Sequence, residues 1–494
     1  MTERSSGILL HISSLPGHEG IGTLGSEAYR FVDFLKRNGQ KNWQILPLGP
    51  VGFGNSPYLC YSAFAGNPLF IDLTTLSEEK LLEGGDFRHH PGFPSGHVDF
   101  ESIKSWKYPL LQKAFEHFRS GKVPALENDY HHFLKEHQWW LNDYAMFIAL
   151  KKYFKDISWS EWEDDVKFRK KRAIHKFEQL LEEAIDFRKF MQFLFFRQWF
   201  QLKDYAHSQG VRFIGDLPLY VSGDSSDIWS NTDIFQLDKN LNPEKVGGVP
   251  PDYFSKTGQL WGNPLYDWQR LEERGFDWWI ARLHFNIHLF DMVRIDHFRG
   301  LEAYWAVPAG EKTAVNGEWL PARGFELLKR FRKQTGSPLL IAEDLGKITP
   351  EVEKLRDHFG LPGMKVLQFA YSSDETNIHL PHNYTPPFIA YTGTHDNDTT
   401  LGWLHSRKKK ERKQIRRYLG NPGKKALRKS IESIWSSCAR TAIIPMQDVL
   451  GLDSMARLNT PGTSTGNWEW RFRWKQLKPK QEKFLESVTS KYNR

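Results

Sequence analysis

Short apolar runs of strand length recur along this chain, separated by segments long enough for helices, and they narrow the available folds more than any other feature. The runs are residues 7–10, 43–46, 211–215, 292–295, 338–342, 365–369, 388–392 and 442–445. The first two flank residues 26–38, where Ala28, Phe31, Val32 and Leu35 recur at helical spacing and Gly39 closes the segment. Eight short apolar strands with intervening helices predict an α/β fold, a closed (β/α)8 TIM barrel. In that architecture catalytic side chains stand at the carboxyl ends of the strands.

The spacing is uneven, and the exceptions mark insertions. About 165 residues separate the second run from the third, much of it patterned as helices such as 143–154 and 187–206. Residues 73–187 therefore read as a mostly helical subdomain grafted onto a barrel made of residues 1–72 and 188–494. Residues 218–268 follow the third strand and are rich in Gly, Pro, Asn and aromatics. They are too long for an ordinary connection and are expected to form long substrate-covering loops, a lid. No internal repeat or low-complexity linker breaks the chain.

Composition excludes several classes of function. No apolar run reaches the roughly 18 residues of a membrane span, and the apolar stretch within residues 1–10 is too short for a signal peptide, so a cytoplasmic protein is expected. Cys60 and Cys438 cannot build a disulfide framework and have no zinc-ligand spacing. The net charge of +8 is concentrated in runs such as 407–417, RKKKERKQIRR, which reads as the solvated face of a helix; no nucleic-acid partner is expected. Gly20, Gly22 and Gly25 match a G-x-G-x-x-G pattern, but Pro16 intervenes after the strand and no acid follows at the right distance, so no dinucleotide cofactor is expected. Aromatics make up 14% of the chain, with 19 tryptophans. Flat rings with a polar edge suit stacking on a ligand such as a sugar, although most aromatics in any protein pack its core.

Four strand-like runs end in acids: Asp216, Asp296, Glu343 and Asp396. A lone strand-end acid is commonly a helix cap, but four on one barrel rim point to metal chemistry or glycosyl chemistry. His297 and His395 lie beside the acids and keep a metal hydrolase open. Against a metal cage, Arg294 sits two residues before Asp296, on the same strand face, where a fixed cation favours an ionised carboxylate. Retaining glycosyl transfer needs a nucleophilic carboxylate and a second, protonated carboxyl about 5 to 5.5 Å away. Asp296 beside Arg294 suits the first role. Glu343, whose proton affinity neighbouring acids would raise, suits the second. Alternation turns Asp344 the other way. No cofactor is needed, since carboxyl groups complete the chemistry.

With these residues in place the chain resembles the amylomaltases, 4-α-glucanotransferases of glycoside hydrolase family 77 in the α-amylase superfamily. The resemblance spans nearly the whole length. It rests on HISSLPG at 11–17, SPY at 56–58, SAFAGNP at 62–68, GDLPLYV at 215–221, GGVPPDYFSKTGQLWGNP at 247–264, VRIDHFRG at 293–300, AEDLG at 342–346, GTHDNDT at 393–399 and NTPGT at 459–463. It implies Asp296 as nucleophile, Glu343 as acid/base and Asp396 as the third carboxylate, gripping hydroxyls of the reacting sugar. It further implies that Arg294, His297 and His395 surround that sugar and that Asp216 supports the subsite. Tyr58, Phe254, Gln259, Trp261 and Asn263 become contacts to the glucan chain, with Asn459 on the acceptor side. Leu59 stands where glutamine is expected. The implied partners are a malto-oligosaccharide or α-1,4-glucan donor and acceptor. An α-1,4-glucan hydrolase of the α-amylase type is the alternative, and a non-catalytic carbohydrate-binding barrel the more distant one.

Overall fold

The computed structural model describes residues 3–87, 91–251, 255–337 and 339–494. Among the described residues there are twelve strands: β1 (Ser5–Leu9), β2 (Asn42–Gln44), β3 (Arg212–Leu217), β4 (Lys245–Val249), β5 (Gln259–Pro264), β6 (Met292–Ile295), β7 (Ala303–Pro308), β8 (Glu318–Pro321), β9 (Leu340–Ala342), β10 (Gly363–Val366), β11 (Phe388–Tyr391) and β12 (Thr441–Pro445). Eight of them make one sheet in the order β10-β11-β12-β1-β2-β3-β6-β9, each pair parallel. The Ala342 amide donates to the Pro362 carbonyl at 2.9 Å and brings the two ends of the sheet together as a barrel. Each of these eight overlaps one of the eight apolar runs of the sequence, although β2 ends two residues before its run and β10 begins two residues ahead of its own, with Leu367–Phe369 in a 3-10 turn.

Strand alternation sorts the side chains into an inner and an outer set. Leu9, Ile214, Met292, Ile341, Met364, Val366, Ile389, Tyr391 and Ile443 pack together as a separate core that fills the barrel. The narrow strand β2 contributes a polar residue to this interior instead: Gln44 accepts from Tyr391 Oη at 2.9 Å. Gly7 is required nearby, because a Cβ there would lie 2.3 Å from the Asn42 carbonyl oxygen. The outward residues join a second, larger core that runs without a break into the helices of the insertion.

Between β2 and β3 lie the helices Phe100–Arg119, Glu127–Tyr153 and Glu182–Ser208. The last is continuous through residue 187, so the helix that leaves the insertion also carries the chain into β3. Its Trp199 is fully buried, 4.8 Å from the Phe213 ring of β3 and 5.6 Å from Phe290. A buried ion pair, Lys107 Nζ to Glu19 at 2.6 Å, fastens the insertion to the loop after β1. Such a pair holds position more than it adds stability, since desolvating both ions offsets most of their attraction.

The long segment after β3 is more ordered than a loop. Strands β4 and β5 form an antiparallel pair, and β7 and β8, which follow β6, extend it to a four-stranded sheet in the order β5-β4-β7-β8. Two glycines in β4 (Lys-Val-Gly-Gly-Val) conceal its strand character, since its pairing depends on β5 and β7 and not on its own side chains.

Candidate active site

The inward residues of three neighbouring strands change from apolar to charged one step below the rim. Along β3 the step is Ile214 to Asp216. On β6 it is Met292 to Arg294 and then Asp296, and from β9 it is Ile341 to Glu343. The parallel register sets Asp216 opposite Arg294 and Arg294 opposite Ile341, so the charges meet at one level. Asp344 is turned outward, where Arg356 Nη1 and the Met364 amide satisfy its carboxylate.

Arg294 is the hub. Its Nη1 donates to both oxygens of Asp216 at 2.7 Å, and its Nη2 lies 2.8 Å from Asp296 Oδ1. Burial works against the guanidinium charge, but Asp216 and Asp296 outweigh it and hold its pKa well above the ordinary arginine value. For Asp216 burial raises the proton affinity while Arg294 opposes it. Both Asp216 oxygens accept, from Arg294 and, at 2.8 Å, from Tyr58 Oη. Asp216 is 2% exposed, whereas the Asp296 side chain keeps 30% of its surface open beside the same cation.

After β6 the backbone turns sharply: His297 has φ 49° and ψ 48°, the left-handed conformation. That turn aims the His297 amide at Glu343, whose Oε2 accepts it at 2.8 Å, while Oε1 accepts the Leu345 amide at 3.0 Å. The Glu343 amide donates to the Ile295 carbonyl at 3.1 Å. Glu343 is thus fastened to the residues on both sides of Asp296. Burial first, and the Asp296 charge second, push its carboxyl up to about 8, with Arg294 and the Leu345 amide opposing. Of the two neighbouring carboxyls, Asp296 is ion-paired to Arg294, while burial raises the proton affinity of Glu343.

His395 and Asp396 follow β11 and close the site from the far side. Tyr58 Oη lies 2.9 Å from His395 Nε2, and the two rings stack at 5.2 Å. The same His395 nitrogen is 3.4 Å from Asp396 Oδ1, which also accepts from Asn459 Nδ2 at 2.6 Å. The Asp396 side chain is 45% exposed and accessible to a ligand. Trp261 of β5 meets the His297 ring edge to face at 4.8 Å, so the antiparallel sheet reaches the rim. Gln259 accepts from Trp261 Nε1 at 3.2 Å. Asn263 is buried and donates to the Val221 carbonyl, supporting the sheet from below. Phe254 lies outside the described residues. Burial keeps His297 neutral, its pKa lowered to about 4, and its Nε2 has no partner among the described residues.

The site also uses groups that the sequence reading passed over. His11 accepts the Leu46 amide through Nδ1 at 3.3 Å, and burial, with His395 nearby, lowers its pKa to about 3. Asp448 is buried after β12 and accepts from the hydroxyls of Thr392 and Thr400, both at 2.6 Å, and from the Thr400 amide, bracketing the loop that carries Asp396. His11 opens a quoted motif and was therefore findable. Asp448 sits among apolar neighbours and carries no local signal.

The glycoside hydrolase family 77 model, described as 4-alpha-glucanotransferase, matches residues 10–477. The chain is 47% identical to a 4-alpha-glucanotransferase of Thermus thermophilus, over 98% of either chain. It is also 47% identical to one from Synechocystis, over 100% of this chain and 99% of that one. An amylomaltase from Streptococcus agalactiae, solved in complex with acarbose, superposes with a TM-score of 0.97 at 39% identity and full coverage of both chains. The chain therefore belongs to glycoside hydrolase family 77, and 4-α-glucanotransfer is its reaction.

Proposed function

We propose that the chain transfers α-1,4-glucan segments between malto-oligosaccharides by double displacement, with Asp296 as nucleophile and Glu343 as acid/base. An Asp296 carboxylate oxygen bonds to the anomeric carbon as the bond from that carbon to the leaving 4-oxygen breaks, and Glu343 gives its proton to that oxygen. The acceptor's 4-hydroxyl then returns a proton to Glu343 as its oxygen displaces Asp296 from the anomeric carbon. Two inversions restore the α linkage. Asp396, with the His297 and His395 rings, takes the hydroxyls of the reacting sugar, and Asp216 acts beneath them by keeping Arg294 in place.

The observation that carries the reading is the tie between the two acids: Glu343 bonds the backbone on either side of Asp296, while burial and the Asp296 charge push the Glu343 carboxyl up to about 8. A transferase must also disfavour water as acceptor, and the antiparallel sheet with Trp261 at the rim supplies a surface that orients a sugar hydroxyl instead. That the Streptococcus agalactiae amylomaltase is solved in complex with acarbose supports a sugar ligand for this chain. A cytoplasmic setting belongs to the same proposal, supported by two free cysteines.

Replacing Asp296 with Asn is expected to abolish transfer, and activity within about tenfold of wild type would remove Asp296 from the nucleophile role. Incubation with maltotriose tests the reaction type. Transfer yields glucose and a ladder of longer chains with a constant number of reducing ends, whereas hydrolysis makes that number climb.

A further inference from the structure

Asp396 stands on irregular backbone five residues beyond the end of β11, so the barrel alone does not fix its place. Its main chain is gripped from another element. Arg457 Nη2 donates to the Asp396 carbonyl at 2.7 Å, and Nε of the same guanidinium donates to the Asn459 carbonyl at 2.7 Å. Asn459 in turn holds the Asp396 carboxylate through Nδ2. One planar fork therefore sets the distance between Asp396 and the amide that orients its side chain. A lysine, with a single ammonium on a flexible stem, does not reproduce that two-point geometry.

The same segment reaches His395. Trp468 has φ 66°, a conformation that bulky side chains seldom adopt, and its amide donates to the Leu458 carbonyl at 2.7 Å. Its buried ring lies 6.0 Å from that of His395 and 5.9 Å from Tyr58. Backbone strain of this kind persists where the surroundings over-determine it, and here it seats the indole against the Tyr58–His395 stack. Arg457 and Trp468 thus bracket one stretch that backs two consecutive residues of the site.

We infer that residues 457–468 form a clamp in which Arg457 is a positioning residue for Asp396. The inference rests on the proposed role of Asp396 as the third carboxylate. Arg457 touches no reacting atom and acts by limiting the freedom of the Asp396 loop, so its loss appears in the transition state more than in ground-state binding.

The test compares Arg457→Met, Arg457→Lys, Asp396→Asn and the double variant Arg457→Met/Asp396→Asn. An α-glucosyl fluoride donor keeps slow variants measurable, and melting temperatures are recorded alongside. Arg457→Met is expected to lower kcat by about 30-fold with KM changed less than about threefold, and Arg457→Lys to fall between it and wild type. The double variant should be no slower than Asp396→Asn within about twofold, because a residue acting through Asp396 has nothing left to act on. Multiplying losses in the double variant, or Arg457→Met within about twofold of wild type while Asp396→Asn is slow, overturns the clamp and leaves the Asp396 assignment standing. Near-normal Asp396→Asn overturns the assignment, and the clamp falls with it. Should Arg457→Met fail to fold, Arg457→Lys alone and combined with Asp396→Asn gives the same comparison.

Discussion

Replacing Glu343 with Gln tests the electrostatics of the site through stability as well as activity. An ordinary glutamate titrates near 4.5, and burial with the Asp296 charge pushes Glu343 up to about 8. Between those values the folded protein binds a proton that the unfolded chain has released, so wild-type stability falls as pH rises across that window. At about 1.4 kcal/mol per unit the full decline is on the order of 5 kcal/mol, and roughly half of that where water reaches the half-buried carboxyl. The glutamine amide is neutral at every pH and does not share the decline. It loses one acceptor for the amides of His297 and Leu345, a pH-independent cost of about 1 kcal/mol. Urea unfolding followed by tryptophan fluorescence at pH 5, 6, 7 and 8 should therefore show Glu343→Gln gaining on wild type by about 2 to 4 kcal/mol across the series. Transfer from maltotriose should be lost at every pH. A stability difference that stays flat within about 0.5 kcal/mol would show that Glu343 ionises like a surface glutamate, and it could not then hold the acid's proton at neutral pH.

Other perturbations address the supports of the site. Wild-type kcat should decline above about pH 8 as Glu343 loses its proton, and a plateau through pH 10 in the pH–rate profile would contradict its role as acid. Arg294→Met leaves Asp216 buried without its cation and should destabilise the fold by about 3 to 5 kcal/mol, seen as a large drop in melting temperature. Tyr58→Phe removes the hydroxyl shared by Asp216 and His395 and should cost about 1 to 3 kcal/mol in urea unfolding. Gly215→Ala would put a Cβ 2.0 Å from the Phe290 ring and should lower stability by about 1 to 3 kcal/mol, a loss absent if Phe290 can move aside.

The barrel and its charged rim are legible in the chain because both follow from local pattern. Most parallel strands lie in short apolar runs, and strand alternation assigns Asp296 and Glu343 to the inner face while sending Asp344 outward. The antiparallel sheet beside the rim is less legible: β4 holds two adjacent glycines, β7 is a strand through its pairing with β4, and β8 through its pairing with β7. Tertiary structure alone decided which groups meet. Asp216 and Arg294 lie 78 positions apart in sequence, Tyr58 reaches His395 across 337, and Arg457 reaches Asp396 from the segment after another strand. Residue type and spacing encode which face a side chain takes. Whether a carboxyl is charged or neutral depends on what burial and neighbours surround it with, and only the closed barrel brings those neighbours together.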